Sequence, residues 1–247
     1  GGWSKDQARE AIKNSAEAGY GLIEIPALDP ASIDAEDTLK VLGEYNMKAA
    51  CSLGLTFDAD INNEDSEIVA RGEKRLFDAL TVVERLKGNY LGGVLFSALG
   101  KYQGPPTTKA RDNAVAAIGR LAKAAKEKGI LLGLEPVNRY ESNLLNTGQQ
   151  ALDFIKDTGS DNVKVHLDIY HMNIEEQDLV SPVIACGDKL GYVHIGASHR
   201  GPLGTGNIDF DSFFGALHKI NYKGTITFES FSSAVVSKDL SNTLGIW

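Results

Sequence analysis

Leu134-Glu135-Pro136-Val137-Asn138-Arg139-Tyr140-Glu141, His166-Leu167-Asp168-Ile169-Tyr170-His171, Val193-His194-Ile195-Gly196 and Thr227-Phe228-Glu229-Ser230 share one pattern. Each is an apolar run, β-branched or leucine-rich, that ends in a side chain able to bind a divalent metal. Glu135, Asp168, His194 and Glu229 stand 33, 26 and 35 residues apart. A strand with its return helix takes roughly 30 residues, so the four recur once per βα unit, near the ends of four successive strands.

Working outward, the same alternation covers the chain. Ser4 to Ala18 has Ala8, Ile12 and Ala16 on one helical face, and Gly19 stops it before a strand at Leu22-Ile23-Glu24-Ile25. A helix over Asp34–Tyr45 and a strand over Lys48–Leu55 follow, then a polar segment feeding a helix that runs to about Lys87. Tyr90–Phe96 is the third strand, and Thr108–Lys128 a long Ala/Lys helix after Gly104-Pro105-Pro106. Strands at Ile130–Pro136, Val163–Ile169, Leu190–Gly196 and Gly224–Ser230 alternate with helices near Thr147–Asp157, Asp178–Cys186 and Phe210–Ile220. Pro182 fits only where the regular part of its helix begins.

Strict alternation argues a parallel sheet with right-handed crossovers. An open doubly wound sheet usually carries a glycine-rich phosphate turn after its first strand, and none is present. A barrel sets functional side chains at the C-terminal ends of many strands, as the four candidates require. The expectation is a single (β/α)8 TIM barrel over residues 1–247, with strand 1 and the last helix lacking from the sequence: seven strands are visible, and the chain opens on a helix and stops at Trp247.

Composition narrows the partners. A net charge of −8 opposes binding to nucleic acid or an acidic membrane, which need clustered Lys and Arg. No apolar run approaches the ~18–20 residues of a membrane span. Two cysteines, Cys51 and Cys186, form neither a disulfide framework nor a CxxC pair, so a reduced, cytoplasmic protein is expected.

Side chains alternate along a strand, so Glu135, Asp168 and Glu229 point the same way as the residues two before them, into the barrel. A buried carboxylate there must be paired or bound to a cation. Three carboxylates and one imidazole repel or strand one another without a positive centre, and a divalent ion resolves this. The oxygen-rich set favours Mn²⁺, Mg²⁺ or Co²⁺ over structural zinc. His166 is the rival to His194. Two residues before Asp168, it should sit about 6–7 Å deeper, as a core side chain.

Glu141, His171 and Arg200 each follow a candidate ligand closely and should lie in loops over the barrel mouth. Arg200 offers a fixed fork for a hydroxyl or oxyanion, and His171 a donor or acid. The loop Gly201-Pro202-Leu203-Gly204-Thr205-Gly206-Asn207 has no Gly-Lys-Ser/Thr ending, so its glycines read as turn formers rather than a phosphate cradle. Phe57, Phe96 and Phe231 lie just beyond strand ends, where aromatics either form an apolar wall for a carbon chain or, more often, serve packing.

The runs Glu135 to Glu141, His166 to Glu176, His194 to Gly201 and Phe228 to Phe231 closely resemble the D-tagatose 3-epimerase and D-allulose (psicose) 3-epimerase family of xylose-isomerase-like barrels. His171-Met172-Asn173-Ile174-Glu175-Glu176 is the most specific of them. The resemblance implies one Mn²⁺ or Co²⁺ held by Glu135, Asp168, His194 and Glu229, with Glu135 and Glu229 also moving protons. It implies that Glu141, His171 and Arg200 orient a ketose, and that the protein is a homodimer or homotetramer. Relative to that family the chain lacks the first strand, which contributes an aromatic to the pocket, and Phe96 stands where some members carry Trp.

The expected reaction is inversion at C3 of a free ketose through a cis-enediolate, with one glutamate on each face of C3. The alternative on the same barrel is an aldose–ketose isomerase of the hydroxypyruvate isomerase type, which returns the proton to a neighbouring carbon. A barrel endonuclease acting on abasic DNA would need more than the five histidines present and a basic face. A sugar-binding protein without activity has no need for two opposed glutamates on one metal.

Overall fold

The computed structural model describes residues 3–231 and positions 238, 241 and 242. Its strands are β1 (Leu22–Pro26), β2 (Lys48–Leu55), β3 (Tyr90–Ala98), β4 (Leu131–Leu134), β5 (Val163–Asp168), β6 (Leu190–Ile195) and β7 (Thr225–Phe228). All six neighbouring pairs are parallel, and the spatial order is the chain order. Around them lie α1 (Lys5–Glu17), α2 (Ala35–Glu44), α3 (Ser66–Arg85), α4 (Thr108–Glu127), α5 (Gly148–Thr158), α6 (Ile169–Glu175), α7 (Ser181–Cys186) and α8 (Phe210–Lys219). The result is a nearly closed parallel barrel whose two edges are β1 and β7. Side chains meet across that gap: Thr227 Oγ1 on β7 lies 3.4 Å from Glu24 Oε2 on β1.

Local chemistry starts and stops the helices. Ser4 and Gln7 form a reciprocal capping box on α1, as Thr147 and Gln150 do on α5. Asp65 accepts from the N–H groups of Glu67 and Ile68 at the start of α3, and Thr107 from Ala110 N at the start of α4. Gly159 ends α5 at φ +67, a conformation that costs glycine nothing. Pro182 occupies the first turn of α7, where a missing N–H is harmless.

The main core lies between the sheet and the helices, with Leu76, Leu80, Leu91, Leu95, Phe96, Ile118, Leu121, Phe154 and Phe213 buried. A smaller cluster of Ala50, Tyr90 and Tyr192 plugs the barrel interior. The rings of Tyr90 and Tyr192 stack at 4.1 Å. Glycine makes room for this plug, because a Cβ on Gly133 would lie 1.8 Å from the Tyr90 hydroxyl.

Two expectations need correction. Phe96 does not wall the mouth: it is fully buried and faces the helix layer, 6.5 Å from the Phe154 ring. β3 is buried along its whole length, so apolar character marks neither face. His171 is not on a loop: β5 ends at Asp168, whose carboxylate accepts from Tyr170 N at 2.8 Å and caps α6. The expectation about a closing helix falls on residues most of which lie outside the described ones; Lys238, Ser241 and Asn242 are helical.

Candidate metal centre

Strand ends bring the four candidates together. Glu135 directly follows β4, and its N–H donates to Gly93 O at 3.1 Å. Gly93 sits at φ +101, with Leu53 O 2.5 Å from where a Cβ would be, so only glycine lets β3 pass β2 this closely. Asp168 is the last residue of β5 and pairs in register with His194 on β6. Glu229 follows β7, anchored by its N–H on Ile195 O at 2.9 Å.

One ligand atom from each of Glu135, Asp168, His194 and Glu229 lies within 4.8 Å of the others. His194 Nδ1 is 3.3 Å from Glu135 Oε1 and 3.7 Å from Glu229 Oε2. The His194 Nε2 atom is 2.8 Å from Glu24 Oε2. Arg200 Nη1 donates to Asp168 Oδ2 at 2.9 Å and also to Glu229 Oε2. The Arg200 guanidinium lies 3.8 Å above the Tyr170 ring and 5.0 Å from that of Phe231. Its own backbone is left-handed at φ +59, and Ser230 Oγ donates to its carbonyl at 2.6 Å.

Asn138 ties two further candidates to this centre. Its backbone N–H donates to His171 Nδ1 at 3.1 Å, and its side-chain amide donates to Glu141 Oε1 at 2.8 Å. Because a backbone N–H only donates, Nδ1 of His171 must accept. Its Nε2 faces Asp168 Oδ2 at 3.6 Å and Arg200 Nη2 at 3.3 Å.

The electrostatics follow from burial and close charge. Burial opposes ionisation of Asp168, yet Arg200 and His171 hold its pKa well below the carboxylate range. Burial resists the charging of His194, but Glu24, Glu229 and Glu135 push its pKa well above the usual histidine value. Glu24, also opposed by burial, is held at about 2 by His194. The two remaining acids diverge. Burial raises Glu229 to about 8 against Arg200 and His194, whereas Glu135, despite its own burial, is lowered by His166 and His194. The carboxylates outnumber the cations that face them, and the donors are three carboxylates and an imidazole within one ion's reach. The set fits a divalent cation.

A cavity of about 840 Å³ opens over this cluster. Glu24, Glu135, Glu141, His171, His194, Arg200 and Glu229 line its polar side, and Leu53, Val94, Leu99 and Phe231 its apolar side. Phe57 instead packs edge-on against Tyr102, 4.9 Å away, beside a separate shallow pocket. His166 lies in the interior plug, with its ring 4.1 Å from that of His194. With Glu135 and His194 it forms a second group able to hold a metal. Sequence reasoning missed Glu24 and Asn138. Glu24 shares its barrel-facing parity with no other marked residue, and Asn138 reads as an ordinary turn asparagine.

A parallel barrel with residues able to hold a divalent metal at the C-terminal ends of its strands defines a class of enzyme. The xylose isomerase-like TIM barrel family matches residues 12–244. L-ribulose 3-epimerase of Methylomonas sp. (strain DH-1) is 53% identical over all of this chain and 86% of its own length. Ketose 3-epimerase of Arthrobacter globiformis is 46% identical over the same shares. The crystal structure of D-allulose 3-epimerase from Methylomonas sp. in complex with D-allulose superposes with a TM-score of 0.98 at 53% identity, covering 100% of this chain and 86% of that one. The chain belongs to the xylose isomerase-like TIM barrel family and, within it, to the ketose 3-epimerases, which are isomerases.

Proposed function

We propose that the protein inverts C3 of a free ketose of the D-fructose/D-allulose, D-tagatose/D-sorbose or L-ribulose class, with Glu135 and Glu229 as the two proton carriers. The observation that carries this reading is geometric. Glu135 and Glu229, from opposite ends of the β4–β7 wall, both approach the same nitrogen, His194 Nδ1, at 3.3 and 3.7 Å. The D-allulose bound to the 53%-identical relative supports the substrate class.

Glu135, Asp168, His194 and Glu229 would hold one Mn²⁺ or Co²⁺, with Mg²⁺ also compatible with the oxygen-rich donors. Such an ion supplies Lewis-acid polarisation of a ketose carbonyl and stabilises negative charge on oxygen. The chain's own residues do the rest. Ionised Glu135 takes the proton from C3, and the C–H electron pair moves toward the C2 carbonyl oxygen to give the cis-enediolate. Glu229 returns a proton to the opposite face of C3. In the reverse direction the two exchange roles. Arg200 donates to sugar oxygens, His171 presents Nε2 to the sugar, and Glu141 accepts from a sugar hydroxyl.

The reading includes a cytoplasmic homodimer or homotetramer. Both cysteines are buried and unpaired, and no helix among the described residues is long and apolar enough to cross a membrane. The test is incubation of Mn²⁺-loaded protein with D-fructose, D-tagatose and L-ribulose in deuterated water, with products separated by chromatography. C3 epimers carrying deuterium at C3 are expected. Deuterium at C1 or C2 would instead mark an aldose–ketose isomerase and sink the epimerase reading.

A further inference from the structure

We propose that Glu24, on the opposite side of the barrel gap, is a positioning residue that fixes His194 with its proton on Nε2 and its Nδ1 lone pair aimed at Glu135 and Glu229. The inference rests on the ligand set proposed above and concerns which nitrogen of His194 serves it.

Both ring nitrogens of His194 face carboxylates, and to ligate an ion one of them must give up its proton. Distance decides between them. Nε2 lies 2.8 Å from Glu24 Oε2, inside the normal N–H···O range. Nδ1 lies 3.3 Å from Glu135 Oε1 and 3.7 Å from Glu229 Oε2, both beyond it. The shorter contact holds its proton, which leaves Nδ1 as the free donor at the centre of the acidic cluster. A second carboxylate behind a ligating imidazole orients the ring and raises its basicity.

Glu24 is poorly explained as a salt bridge for the fold. Its side chain is only 13% exposed, it sits on an edge strand, and its polar neighbours are His194, 170 positions away, Thr227 at 3.4 Å and Ser52. No Lys or Arg approaches it among the described ion pairs. A carboxylate so buried is costly unless its partner needs it.

The test uses Mn²⁺ alone, titrated into the metal-free full chain by calorimetry, for the native protein and for Glu24→Gln, Glu24→Ala and His194→Ala. Glu24→Ala should weaken Mn²⁺ binding by about ten- to a hundred-fold. Glu24→Gln, whose amide oxygen still accepts from Nε2–H, should recover most of that loss. In the Mg²⁺-loaded native protein, the ¹⁵N spectrum of histidine should show His194 protonated on Nε2. That measurement decides the matter even where Glu24→Ala fails to fold. Native-like Mn²⁺ affinity in a folded Glu24→Ala protein, or a native spectrum with the proton on Nδ1, overturns the proposal. His194→Ala separates the two readings. If it too binds Mn²⁺ like the native chain, the ligand set itself is wrong; if it alone loses the metal, only the role of Glu24 is.

Discussion

Two layers of side chains fill the barrel, and they treat the same residue in opposite ways. In the upper layer, His194 faces Glu24, Glu135 and Glu229, and its pKa rises well above the usual histidine value despite burial. In the lower layer, His166 lies with its ring only 4.1 Å from that of His194, yet burial and the neighbouring imidazole push it down to about 4. Neither ring nitrogen of His166 has a hydrogen-bond partner, and the rings of Tyr192 at 4.8 Å and Tyr90 at 6.0 Å also meet it edge-on. Charge is thus admitted only where carboxylates from several strands converge. Beneath them a floor of Tyr90, His166 and Tyr192 stays neutral. Such a floor keeps the local dielectric low, which strengthens every interaction among the acids above it.

Removing the ion should break the upper layer most completely. Dialysis against a chelator should abolish turnover, and Mn²⁺ or Co²⁺ should restore it. At a hundred-fold excess over Kd, binding stabilises by about 2.7 kcal/mol, so the Tm of metal-loaded protein should lie roughly 5–10 °C above that of the chelated form. Full activity after exhaustive chelation would refute the metal centre.

Next come the two proton carriers. Glu135→Gln and Glu229→Gln should each reduce kcat by about 10²–10⁴-fold. Retention of more than about a tenth of activity in either variant would overturn the two-base assignment. Arg200→Ala touches the rim of the same layer, where the guanidinium donates to Asp168 and lies 3.8 Å over Tyr170. Lost charge-assisted hydrogen bonds to a sugar cost about 1.5–3 kcal/mol, so KM should rise roughly ten-fold or more. A fall in kcat at unchanged KM would move Arg200 from sugar binding to proton chemistry.

The upper layer was more legible in sequence than the lower one, for a physical reason. Parallel strands end at regular intervals, so Glu135, Asp168, His194 and Glu229 announce their common level by spacing alone. Glu24 carries no such mark. It is one acid in Leu22-Ile23-Glu24-Ile25, and only the curvature of the sheet brings it to His194. The short helix α6 was hidden because Asp168 reads equally well as a strand-end ligand and as a helix cap, and it caps α6 in fact. Phe96 misled because β3 is buried on both faces, so alternation along it says nothing about which side a ring takes. The barrel itself followed from helix–strand alternation, which survives every such local error.

The smallest expected effect is the sharpest test of the two-layer contrast. His166 shares with Glu135 and His194 a second grouping able to hold a metal, so its place in the floor is open to direct challenge. His166→Phe keeps a planar ring and deletes two nitrogens that have no partner. Leaving such groups buried costs about 1–3 kcal/mol, which the substitution relieves. The larger phenyl must then fit beneath His194 and beside Tyr192, and overpacking costs a similar amount. The two effects oppose, so stability should change by no more than about 1 kcal/mol. Mn²⁺ should still bind at one ion per chain, because a floor residue lends the centre no lone pair. Calorimetric titration separates the readings: a ligand role for His166 requires weaker binding by about ten-fold or more, and that result would merge the two layers into one.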